Sequence, residues 1–186
     1  MIKMNIRNQG YIHLLTNFTK GFSGFHRIEF GLFSQKSVEG LTPVVQKLQS
    51  DIATLKQQLL AQSIAPEQLA SMIVRTMRSL AEIRSNGEEE RYSHIDVTGF
   101  AANLEGTRKV IELLRPLLAK TSGDVLKKID SATTGLDDQL LMLKTDSGFK
   151  PYDQVSAEQR KQIADKAKAL ADALDGIDPA LGLSGL

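Results

Sequence analysis

The spacing of apolar residues constrains the fold of this chain more than any other feature. Apolar side chains recur every three or four positions through five successive segments, which is the period of one face of an α-helix. No segment alternates apolar and polar residues as a half-buried strand does. The five stripes are Val45, Leu48, Ile52, Leu55 and Leu59; Leu69, Ile73, Met77, Leu80 and Ile83; Leu104, Val110, Leu113, Leu114 and Leu117; Val125, Ile129, Ala132, Leu136, Leu140 and Leu143; and Ile163, Ala167, Leu170 and Leu174.

Helix-starting residues precede several of these stripes. Pro43 and Pro66 stand near the beginning of two of them, where a proline costs little because its missing N–H would have no helical partner. Ser156 and Gln159 form the sequence pattern of a capping box before the last stripe. The connections are mostly short, and a further helix precedes the five. We therefore predict an all-α fold, an antiparallel bundle of about five to six helices.

Length and charge limit the class of protein. A chain of 186 residues suits one domain, so we predict a helical-bundle domain over residues 1–176 and a C-terminal tail over residues 177–186. The 23 basic and 22 acidic residues give a net charge of +1, which offers no electrostatic case for binding nucleic acid. No apolar run approaches the length of a transmembrane helix. The absence of cysteine excludes disulfides, cysteine-based zinc sites and thiol nucleophiles.

One short segment, GFHRIEFGLF at residues 24–33, carries two polar side chains in an apolar context. On a helix, His26 and Glu29 lie on the same face because they are three residues apart. An ionised carboxylate among aromatic and aliphatic side chains is costly to bury unless a charged partner accompanies it. The pair could therefore bind one metal ion, or the two side chains could simply bond each other. The spacing alone does not choose between these interpretations.

A second acidic segment, GEEER at residues 87–91, could complete a metal site. Two ligands are too few, since zinc or iron sites need four or more. A carboxylate of Glu88 or Glu89 is a candidate third ligand, although such clusters are more often solvated groups near a helix N-terminus. His94 and Asp96 follow shortly after. We expect these two to support the site indirectly or to lie on the surface.

Taken together, these segments resemble a known family. The sequence FSGFHRIEFGLF is followed about 60 residues later by GEEERYSHIDVTGFAANLEGTRKVIELLRPLL, and then by SGFKPYDQVSAEQRKQIADKAKALADAL. This arrangement resembles the EfeO/EfeM branch of the imelysin-like family over roughly residues 18–176. The resemblance implies a helical bundle with a metal-binding HxxE motif. His26 and Glu29 match that motif, and Glu89 is favoured over Glu88 as the contribution of the second segment.

The resemblance also implies a cellular role. It implies a periplasmic or lipid-anchored protein that works with an iron permease and a peroxidase-like component of a bacterial iron-uptake system. The bound metal would be iron in the first place, with zinc or copper as alternatives. Members usually carry a signal sequence and further helical residues before the HxxE helix. We therefore expect a shortened chain or a divergent first helix here, with exposed core surface that could promote a homodimer.

Two other functions remain open at this point. Some relatives are linked to acidic polysaccharide, and binding of this kind predicts a basic cleft, with Arg75, Arg78, Arg84 and Arg108 as its candidate residues. A metallopeptidase is the third hypothesis. The chain lacks the HExxH helix that supplies two zinc ligands and a general base, so enzymatic activity is the less favoured interpretation.

Overall fold

Seven α-helices are present in the structure, a computed structural model that describes residues 22–83 and 89–183. They are α1 (Gly24–Glu29), α2 (Thr42–Leu60), α3 (Pro66–Ile83), α4 (Asp96–Thr121), α5 (Gly123–Leu141), α6 (Ala157–Leu174) and α7 (Ile177–Leu181). The predicted all-α fold with five long helices after an opening one is confirmed. The capping box is confirmed as well, since the backbone N–H of Gln159 donates to Ser156 Oγ over 3.2 Å and the Gln159 side chain accepts from the Ser156 N–H.

Short non-helical elements join these helices. A π-helix, Phe30–Ser34, continues α1, and a 3-10 turn, Tyr152–Gln154, precedes α6. Two strands, β1 (Lys144–Thr145) and β2 (Gly148–Phe149), form an antiparallel hairpin between α5 and α6. The residue pairs across this hairpin are Lys144 with Phe149 and Thr145 with Gly148.

The chain divides into two compact units after Gln62. The first contains α1, the π-helix and α2, and the second contains α3 to α7. The predicted limits of a domain at 1–176 and a tail at 177–186 stay a prediction. Helix α7 lies within that predicted tail, and it packs against α4 and α3 with Ile177 fully buried.

The second unit is built on a ring of four packed helices. Helix α3 packs against α6, α6 against α5, α5 against α4, and α4 against α3. The predicted stripe of α6 is entirely buried, and so are Ile129, Leu136 and Leu140 of α5. Burial of these faces in one continuous apolar core is the main source of stability in a bundle of this kind.

In α4 the buried face differs from the predicted one. Leu113 and Leu117 are 69% and 49% exposed, while Ile111 and Leu118 are buried. Leucines stand at both 113–114 and 117–118, so the apolar pattern fits two faces about 100° apart. The face that packs into the core is the one that also carries the buried Val97.

In α2 the predicted stripe is only partly covered. Val45 and Leu48 are half-buried, whereas Ile52, Leu55 and Leu59 are about half exposed. Within its own unit, the described elements that can pack on α2 are the short α1 and the π-helix. These elements are too short to cover a helix of 19 residues. The periodicity predicted the apolar face correctly, but it could not show what would lie against that face.

Candidate metal centre

Helix α1 places His26 and Glu29 on the same face, as the spacing predicted. His26 Nδ1 lies 3.0 Å from Glu29 Oε2. The His26 side chain is 49% exposed, whereas that of Glu29 is 8% exposed. Glu29 and Asp96 are the two buried carboxylates among residues 22–83 and 89–183. A solvent-accessible imidazole therefore stands beside a carboxylate that is largely withdrawn from water.

The expected apolar surroundings of this pair are only partly present. Phe25, Leu32 and Phe33 are 68%, 44% and 50% exposed. Contrary to the expectation, these three side chains do not shield Glu29 from water. Phe30 is half-buried, and its ring packs edge-on against Phe22 with the ring centroids 6.0 Å apart. Helix α1 buries the side that carries Glu29 and leaves Phe25 and His26 exposed.

A π-helix directly follows the HxxE residues. The N–H of Gln35 donates to the carbonyl of Phe30 over 2.9 Å, five residues back rather than four. Wider turns of this type are rare and occur frequently at functional sites. Gly31 lies in this turn, and a Cβ on it would come within 2.9 Å of a Leu41 methyl carbon. Glycine therefore allows the turn to approach the buried Leu41 side chain at the start of α2.

The acidic segment is described from Glu89 onward, and Glu88 lies outside the described residues. Glu89 is exposed and Glu90 is half-buried. Glu89 contributes to a cleft of about 300 Å³ whose other lining residues are Arg75, Thr76, Ser79, Leu80, Phe100 and Asn103. Whether Glu88 or Glu89 binds metal stays a prediction. Glu90 was not among the residues predicted from sequence, because three identical neighbouring residues give no sign of which side chain is buried.

Asp96 is more deeply buried than we expected. It is the first residue of α4, and only 2% of its surface is exposed. Its Oδ1 accepts a hydrogen bond from the Glu90 N–H over 3.3 Å, while its buried Oδ2 has no hydrogen-bond partner among the described residues. Asp96 therefore holds the backbone of the acidic segment. The sequence signal was the position of Asp96 beside Val97 and one turn before Phe100, on the buried face of α4.

The backbone around His94 is tied to the loop that precedes α6. His94 has a φ of 57°, a conformation that is uncommon for residues other than glycine. Its N–H donates to the Glu90 carbonyl over 2.8 Å, and its carbonyl accepts from the Tyr152 N–H over 2.8 Å. Arg160 in turn donates to the Tyr152 carbonyl over 2.7 Å, and its guanidinium lies 4.3 Å from the centre of the Tyr152 ring. Several hydrogen bonds thus fix the segment that carries Glu90.

Of the four arginines proposed for an acidic polysaccharide, two are held in ion pairs with acidic residues. Arg78 is paired with Asp175, and Arg108 is paired with Asp137 over 2.9 Å. Arg84 lies outside the described residues. Arg75 lines the cleft beside Glu89, whose negative charge would oppose a polyanion there. Nothing in this arrangement favours polysaccharide over metal.

In the part of the chain that the structure describes, no helix combines the length and the apolar character needed to cross a bilayer.

Sequence comparisons identify similar proteins. The family model for imelysin, peptidase family M75, matches residues 9–177. The iron uptake system component EfeM of Pseudomonas syringae pv. syringae is 33% identical over 164 residues, which are 88% of this chain and 58% of that protein. The iron uptake system component EfeO of Escherichia coli K12 is 32% identical over 162 residues, which are 87% of this chain and 43% of that protein. The chain thus spans about half the length of these curated relatives.

Proposed function

Because the chain belongs to the imelysin family, we propose that it binds a transition-metal ion, iron in the first place, as the cargo of a bacterial iron-uptake system. The names of the similar proteins, iron uptake system components EfeM and EfeO, support this role. The observation that carries the proposal is the contact between His26 Nδ1 and Glu29 Oε2.

The separation of these two atoms suits a shared ion. Two ligand atoms that each lie about 2.1 Å from one metal ion, at right angles, are about 3.0 Å apart. The two atoms are 3.0 Å apart in the structure, so both could bind one ion that displaces the shared proton and lies to one side of the line between them. An imidazole with carboxylates suits iron, zinc and copper, and the ligand types do not distinguish among these metals.

Further ligands would come from the acidic segment. We propose that a carboxylate of the run Glu88, Glu89 and Glu90 joins His26 and Glu29. Glu89 is the residue favoured by the family resemblance, and Glu90 is favoured by its partial burial and by the hydrogen bonds that fix its backbone. Since the imidazole must be neutral and the carboxylates ionised to bind metal, protons compete with the ion. Affinity should therefore fall as the pH is lowered.

The proposed location and partners follow from the same role. A component that binds iron for uptake would act in the periplasm, beside a permease that moves the ion across the membrane and a peroxidase-like component. These partners are proposed from the resemblance and from the description of the relatives as parts of an uptake system.

Calorimetric titration of metal-stripped protein with Fe(II), Fe(III), Zn(II) and Cu(II) tests the proposal. Loss of an outer ligand-supporting group typically costs about 10- to 100-fold in metal affinity, and loss of a ligand should cost at least as much. We therefore expect His26→Ala and Glu29→Gln each to weaken binding by more than about 10-fold. Glu39→Gln is the matched control, because Glu39 is an exposed glutamate of the same unit, and it should leave the affinity unchanged.

Single Gln substitutions at Glu88, Glu89 and Glu90 identify the third ligand in the same titration. The variant with the largest loss names the ligand. Weak binding of every metal, equal in the wild type and in His26→Ala, would show that His26 and Glu29 form a structural hydrogen bond and would overturn the proposed function.

A further inference from the structure

Helix α2 presents an apolar face that the described elements of its own unit leave uncovered. Ile52, Leu55 and Leu59 are 47%, 54% and 50% exposed, and they follow one another at spacings of three and four residues. They form one stripe along the second half of the helix, in which every residue from 51 to 60 is exposed. Exposed apolar stripes of this kind mark interaction surfaces, since covering them with another apolar surface releases about 25 cal/mol per Å².

The spacing of the stripe is that of a coiled coil. Val45, Leu48, Ile52, Leu55 and Leu59 alternate steps of three and four residues, so they occupy successive a and d positions of a heptad. Val45 and Ile52 are β-branched residues at a positions, Leu59 occupies the third a position, and Leu48 and Leu55 are leucines at d positions. This combination favours two parallel helices over larger assemblies. We propose that the face of α2 from Ile52 to Leu59, the α2 seam, binds the same face of a second copy of this chain, with the two helices parallel.

The charged residues beside the α2 seam match this arrangement. Asp51 occupies a g position and Lys56 the following e position. In a parallel pair, each g residue faces the e residue five positions later on the other helix. Asp51 of each copy therefore faces Lys56 of the other copy, which gives two opposite-charge pairs. An antiparallel pair brings g to g and e to e, and no acidic residue then faces a basic one. Asp51 is paired with Lys47 on its own helix, but both side chains are more than half exposed, so that contact is readily exchanged.

The length of the seam sets the strength of association. Val45 and Leu48 are half-buried within their unit, so the freely available contacts begin near Ile52. Stable coiled coils sustain the pattern over about three or four heptads, and this one offers about two. Interfaces smaller than about 1,200 Å² belong to transient complexes. The dimer should therefore be weak, with a dissociation constant on the order of 10 μM or higher.

Sedimentation velocity of the 186-residue chain tests the inference at concentrations from about 1 μM to about 1 mM. A chelator is included, because this association does not depend on the proposed metal. We expect the wild type to pass from monomer to dimer as concentration rises. Leu55→Lys should abolish the dimer, since it places two like charges at a d position. Gln57→Lys adds the same charge on the outer face of α2 and should leave the dimer intact.

Charge exchange tests the parallel orientation. Asp51→Lys alone and Lys56→Asp alone should each weaken the dimer several-fold, because like charges then meet across the pair. The double variant should restore it. A wild type that stays monomeric throughout, or a dimer that withstands Leu55→Lys, would overturn the α2 seam. A dimer that is lost in Leu55→Lys but is indifferent to charge exchange would overturn the parallel arrangement.

Discussion

The unit that carries His26 and Glu29 and the unit of four packed helices bury very different amounts of apolar surface. Among the described residues of the first unit, Leu41 is the one buried apolar side chain, and α2 has no buried residue. The second unit encloses a continuous core that draws on α3 to α7. The two proposed metal ligands on α1 thus sit where little packing holds them, while the acidic segment is anchored in the well-packed unit. Stability and the proposed chemistry are therefore separable by substitution.

The largest expected effect comes from the core of the second unit. Leu170→Ala removes a fully buried side chain of α6, and it should lower the free energy of unfolding by about 2–5 kcal/mol. Leu59→Ala on α2 removes the same atoms from a side chain that is 50% exposed, and it should change stability by no more than about 0.5 kcal/mol. Urea unfolding followed by circular dichroism, at low protein concentration, measures both. Equal losses would show that the first unit contributes as much to stability as the second.

A smaller and more local effect is expected at Leu41. Leu41→Ala should loosen the packing of the π-helix against the start of α2, at a local cost of about 2 kcal/mol. Hydrogen–deuterium exchange should become faster in residues 24–34 and stay unchanged in α3 to α6. Leu60→Ala is the control, because Leu60 belongs to the same unit and is 77% exposed. Faster exchange throughout the four-helix unit would contradict the separation of the two units.

The same contrast explains which features the sequence could predict. Apolar periodicity predicted the buried faces of α3, α5 and α6, because each of these faces has a neighbouring helix to pack against. The relation of His26 to Glu29 was predictable for a similar reason, since residues three apart on a helix are neighbours regardless of tertiary structure. Local geometry and an available packing partner were sufficient in these cases.

Other features depend on contacts between distant segments. Asp96 was predicted to lie on the surface or to support the site, but it is buried and bonds the backbone of Glu90, six residues earlier. The exposure of Ile52 to Leu59 depends on what else is packed nearby, which no pattern within α2 can report. Three adjacent glutamates look alike in sequence, although Glu90 is half-buried and Glu89 is exposed. Periodicity identifies an apolar face, but only the tertiary structure shows what covers it.

The smallest expected effect is electrostatic and lies on the surface of the four-helix unit. Arg115 of α4 donates two hydrogen bonds to Asp130 of α5, over 2.6 and 3.0 Å. The hydrogen bond from Arg115 is the main cause that lowers the pKa of Asp130 below its usual value, against a smaller opposing effect of burial. Both side chains are more than 40% exposed, so solvent screening limits the contribution of the pair to about 0.5–1 kcal/mol.

The pH dependence of that contribution distinguishes it from packing. Because the pKa of Asp130 is lower in the folded state, the stabilisation is complete above the unfolded value of about 3.9 and is lost as pH falls through the folded value. Asp130→Asn should thus be less stable than the wild type at pH 7, and the difference should shrink below about pH 4. Asp138→Asn, an exposed aspartate of the same helix, is the control and should show no such change. A deficit in Asp130→Asn that persists unchanged at low pH would assign the effect to packing between α4 and α5. In that case, packing and not charge would stabilise the second unit even at its surface.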